Sequence, residues 1–84
     1  MKQATNVAKT AAHQTYTEKR AEAVRLLDVL SEALQYFDSR EAADKRNWGF
    51  AGTMGDVTSK LTQMASSLLD VREEDVTELA NLLA

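Results

Sequence analysis

Cysteine is missing from the 84 residues, so no disulfide can brace the fold, and neither a thiolate metal site nor a cysteine nucleophile is available. Proline is missing as well, and glycine is confined to Gly49, Gly52 and Gly55. The chain therefore carries one punctuation mark, and everything outside it is free to be helix. No apolar run approaches the length of a membrane span, and Met1 to Thr15 lacks the apolar block of a signal peptide, so a cytoplasmic chain with no membrane contact is expected. Histidine occurs once, as His13, in a polar stretch without the orienting partner that acid–base or metal chemistry requires. It reads as a solvated side chain. No catalytic residue, cofactor or metal follows from this composition, and an enzyme is not expected.

A chain this short cannot be divided into two cores. The expected organisation is a polar tail or helix extension over 1–14, where Val7 is the one large aliphatic side chain, followed by a single helical domain over 15–84. Such a fold is worth roughly 4 to 12 kcal/mol in all, so a partner can add to it substantially.

The net charge of -3 is unevenly spread. Met1 to Arg25 holds Lys2, Lys9, Lys19, Arg20 and Arg25 against Glu18 and Glu22, a net +3. Leu26 to Phe50 carries -2, and the remainder, with Asp56, Asp70, Glu73, Glu74, Asp75 and Glu78 against Lys60 and Arg72, carries -4.

What is present is helical periodicity. Tyr16, Ala23, Leu30 and Phe37 recur every seven residues, with Leu27 and Leu34 in the intervening slots of a heptad seam. Leu26, Val29 and Ala33 widen that stripe, as expected of a helix that faces more than one neighbour. From Tyr16 to Phe37 it spans about 33 Å. Downstream, Val57, Leu61, Met64, Ala65 and Leu68 share one helical face. Thr53 followed by Asp56 reads as the start of this second helix. Asp70 followed by Glu73 reads as another start, with Val76, Leu79, Ala80 and Leu83 as the stripe of a third helix over about Arg72 to Leu83. The competing reading is one helix continuing through Val71. The acids from Asp70 to Glu78 lack the alternating ligands and central glycine of an EF-hand loop and are read as a charged helix start.

The stretch from Asn47 to Gly55 holds two aromatics and all three glycines, more than a plain connector needs. In one reading the glycines supply positive φ or close approach while Trp48 and Phe50 fold back over the end of a helical hairpin. In the other, Trp48 or Phe50 stays exposed beside Arg46 and anchors a partner. The glycine spacing fits neither a phosphate-binding nor a dinucleotide-binding loop. Lys19, Arg20 and Arg25 form the basic cluster available to nucleic acid, too few for a monomer with six to ten phosphate contacts.

The run Trp48-Gly49-Phe50-Ala51-Gly52-Thr53-Met54 resembles the W-G-x-x-G-x-[LM] connector of short uncharacterised proteins from plasmids and other mobile elements. The resemblance covers about Leu26 to Leu69. It implies a helical fold and a genetic setting, and it transfers no functional residue.

The expected fold is all-α: an antiparallel helical hairpin with a short third helix, two copies pairing into a four-helix-type dimer. The expected function is a small non-enzymatic protein-interaction or regulatory module, such as a mobile-element accessory protein, whose partners are a second copy and an unknown protein. Its partner-binding residues would be Arg46, Trp48 and Phe50. The alternative is a DNA- or RNA-associated protein that uses Lys19, Arg20 and Arg25 in a dimer.

Overall fold

The computed structural model describes the backbone of residues 2–84 and the side chains of residues 10–84. The chain is all-helical: α1 (Lys2–Ala43), α2 (Trp48–Leu69) and α3 (Glu73–Leu83), with no strand among the described residues. It divides into two compact units, Met1–Ala43 and Asp44–Ala84.

The first unit is α1 alone. Its 42 residues contain no glycine or proline, are rich in alanine, leucine, glutamine and charged residues that lose little freedom in a helix, and extend about 63 Å. Residues 2–14 are helical and continuous with the rest; the side chains of Lys2 and Lys9, the other two bases of the amino-terminal third, lie outside the described residues. Local pairs support the exposed surface: Gln14 Nε2 donates to Glu18 Oε1 at 3.4 Å, and Lys19 meets Glu22 at 3.5 Å one turn on. Arg40 lies in the last turn, where a cation favours the negative end of the helix dipole. Of the heptad seam, Leu30, Leu34 and Phe37 are half-buried, while Leu27 and the flanking Leu26, Val29 and Tyr36 are exposed.

The second unit corrects the expected start of the second helix. α2 begins at Trp48 and not at Thr53, because Asn47 caps it. The Asn47 Oδ1 accepts from the Gly49 N–H at 2.9 Å, which satisfies one of the orphan donors of the first turn. Its Nδ2 donates to Asp44 Oδ2 at 3.2 Å, and its backbone N–H donates to the Asp44 carbonyl at 3.1 Å. The connector is thus residues 44–47. All three glycines lie inside the helix, and none has positive φ. Interior glycine costs about 1 kcal/mol relative to alanine but does not forbid helix; a good cap followed by an apolar seam outweighs it. Thr53 and Asp56 are interior residues, and Asp56 pairs with Lys60 at 2.9 Å on an exposed face.

With that start, the face of Val57, Leu61, Met64, Ala65 and Leu68 gains Phe50 and Met54 upstream at the same spacing. Phe50, Met54, Val57, Leu61 and Ala65 are half-buried, and Met64 and Leu68 are exposed. Asp56 and Lys60 are the only charged residues of α2.

The predicted break before the third helix is present, with its roles exchanged. Asp70 ends α2 in the left-handed region at φ 56° and ψ 48°, and does not cap α3. The Asp70 N–H donates to the Ser66 carbonyl, as does that of Val71 at 3.2 Å, so one last-turn carbonyl accepts from both donors that follow the helix. The Ser66 hydroxyl donates to the Val71 carbonyl, so this one residue ties the corner with its carbonyl and its hydroxyl. Arg72 is the N-cap of α3: its backbone N–H donates to Asp75 Oδ2 at 3.3 Å, and its guanidinium lies 3.5 Å from Asp75 Oδ1. Glu73, Glu74 and Asp75 occupy the first turn, where acids suit the positive end of the dipole. α3 packs against α2 with Val76 and Asp75 half-buried. No described helix is long and apolar enough to cross a membrane.

Candidate interaction surface

The three residues singled out as partner contacts sit at the start of α2 and do not share one face. Arg46 is exposed in the turn that precedes the cap. Trp48 opens the helix, and 85% of its surface is exposed. Phe50 is half-buried. At 100° per residue, side chains two apart point about 200° from one another, so a helix starting at Asn47 separates Trp48 from Phe50 by construction. Phe50 belongs to the apolar seam, whereas Trp48 lies outside it.

Trp48 follows directly on a capped helix start. The Asn47 cap holds its neighbours on both sides, and Gly49 lies close against that cap: a Cβ there would stand 3.0 Å from Asn47 Oδ1, so the cap oxygen would have to give way by a few tenths of an ångström. Gly52 and Gly55 differ, since a Cβ on either would meet nothing within 4 Å. An indole held out from a capped helix end, with Arg46 and Lys45 exposed in the preceding turn, offers a partner a flat apolar anchor and a cationic rim, the composition that dominates protein interfaces.

Further along α2, Lys60, Gln63, Met64, Ser67 and Leu68 line a shallow, mostly apolar groove of about 590 Å³. Sequence reasoning placed Met64 and Leu68 in the seam but did not mark them as exposed; their position next to Lys60 and Gln63, at the polar edge of the stripe, was the available signal.

The basic residues are exposed on α1, but the helix distributes them. Lys19 and Arg20 are about 100° apart and Arg20 and Arg25 about 140°, so no face carries all three. Lys19 is further engaged by Glu22. His13 is exposed, and its carbonyl accepts from Thr17 Oγ1 at 3.0 Å. Among the described residues no group of three or more histidine, aspartate or glutamate side chains converges.

No protein-family model matches the chain, and no curated protein or solved structure is significantly similar to it.

Proposed function

We propose that the chain is a small non-enzymatic interaction or regulatory module that binds a protein partner through Trp48 and Arg46 and associates with a second copy of itself. The observation that carries the first part is the exposure of Trp48, 85%, on a helix start held by its own cap. An aromatic of this size gains the most when it is desolvated in a partner's pocket, and its cap-defined position lowers the ordering cost of binding. Phe50 serves this reading as a support inside the seam. The setting we favour is cytoplasmic, as an accessory protein of a plasmid or other mobile element, in line with the W-G-x-x-G-x-M run.

Support for self-association comes from large apolar side chains left exposed along all three helices, among them Leu27, Leu68 and Leu83. Surface of this kind marks contact sites. In the arrangement we favour, the seams of α1 and α2 meet in an antiparallel hairpin that makes residues 15–84 one domain, and two hairpins complete a four-helix-type dimer. Capture from the native host with the wild type and with Trp48→Ala tests the partner site. A protein recovered by the wild type and lost from Trp48→Ala at unchanged helicity is expected; equal recovery by both excludes the indole as anchor.

The nucleic-acid reading rests on the exposure of Lys19, Arg20 and Arg25 and ranks second because they diverge around α1. It requires an affinity for DNA or RNA that falls steeply with salt. Titration at low and moderate ionic strength decides it, and a salt-independent or undetectable signal removes it.

A further inference from the structure

One face of α1 has a composition that reads the same way in chemistry, and oppositely in charge, from either end. Glu22, Leu26, Val29, Ala33, Tyr36 and Arg40 follow one another at spacings of 4, 3, 4, 3 and 4, the alternation that keeps residues on one heptad seam. This strip lies beside the half-buried seam of Leu30, Leu34 and Phe37 and is open: Leu26, Val29 and Tyr36 expose 57%, 59% and 68% of their surface, and Ala33 is exposed. An acid, Glu22, which lies 3.5 Å from Lys19 of its own helix, closes the strip at one end and a base, Arg40, at the other.

We infer that a second copy of α1 packs antiparallel across this strip, with Glu22 of each copy against Arg40 of the other, Leu26 against Tyr36, and Val29 against Ala33. The proposal deepens the self-association reading above and rests on it. Charge selects both direction and register. A parallel pair would stack Glu22 on Glu22 and Arg40 on Arg40, like on like at the seam. An antiparallel pair puts opposite charges at both ends. Sliding it by one heptad toward the amino terminus would leave Tyr36 facing Lys19 and Ala33 facing Glu22, and sliding it the other way would leave Val29 facing Arg40, so only the central register covers all four apolar positions. Its one unfavourable feature is that the two copies of Glu32 flank the midpoint on the same side; Glu32 has no ion-pair partner among the described residues.

The test uses the full chain, which has no native cysteine. Sedimentation equilibrium from micromolar to millimolar concentration should show a wild-type dimer. Glu22→Arg should weaken it about tenfold by placing like charges at both ends, and adding Arg40→Glu should recover most of the loss. Glu32→Gln should tighten it. Because Arg40→Glu also places an acid at the end of α1, oxidative cross-linking provides the independent measurement. Val29→Cys alone and Ala33→Cys alone should give little covalent dimer, and an equal mixture of the two should give it readily. A wild type that stays monomeric throughout overturns the self-association reading together with this one. A wild-type dimer in which Val29→Cys links to itself, or in which neither charge reversal nor its swap changes the affinity, overturns the antiparallel strip and leaves self-association standing.

Discussion

Asn47 decides where α2 begins because it supplies an acceptor to a first-turn N–H and is itself held by Asp44. Replacing it with alanine removes the cap and should cost about 1 kcal/mol of stability, within the usual range of 0.5 to 2, read from thermal or urea unfolding. The glycines that follow are not equivalent. Gly52→Ala and Gly55→Ala add a methyl group in open space and should each stabilise the chain by about 0.5 to 1 kcal/mol, whereas Gly49→Ala pushes against the cap oxygen and should gain less or lose. If all three alanine variants gave the same shift, the close approach at Gly49 would have no energetic meaning. At the other end of α2, Asp70 holds a left-handed conformation that favours glycine, and it places a negative charge where the dipole is already negative. Asp70→Gly should raise stability by about 0.5 to 1 kcal/mol. Ser66→Ala removes the hydroxyl that holds the Val71 carbonyl and should lower it by about 1 kcal/mol.

Among the elements, the seams and the break after Leu69 were legible, and the start of α2 was not. Val57, Leu61, Met64, Ala65 and Leu68 announce α2 because a 3.6-residue period leaves them on one side whatever lies upstream. The start was misjudged because three glycines in seven residues suggest a loop, although each costs only about as much as a good cap returns. Asparagine directly before Trp48, with Phe50 and Met54 continuing the seam, was the signal to weigh against them. The break after Leu69 was legible from the acids of α3 and the apolar stripe that follows, but Asp70 suits a left-handed terminus as well as a cap, so its role was not. Trp48 and Phe50 stood out as a pair, and what separated them was the helix start itself, since two residues within a helix point to different sides and two in a loop need not. Proline discriminates between these descriptions. Gly52→Pro falls in the second turn of α2 and should cost about 3 kcal/mol or more with a visible loss of helical signal; a neutral outcome would mean that residues 48–55 are a connector after all.

For the whole molecule, the consequence of open apolar strips on every helix is that stability should depend on concentration. An associating chain gains free energy from mass action that a solitary one does not, so its melting temperature should rise between micromolar and millimolar samples, followed by circular dichroism at fixed ionic strength. A midpoint that does not move across that range would leave the exposed leucines without a role in association.

α2 carries one acid and one base in 22 residues, and they neutralise each other a turn apart. To an approaching body the side chains of this rod are close to electrically silent: it can be recognised by contour and by oiliness, while attraction at a distance has to be supplied by α1, α3 and the charged turns that flank α2. Contacts made along α2 should therefore survive brine that dissolves contacts made along α1, and that contrast in halotolerance would tell an investigator which rod a newly found companion has gripped.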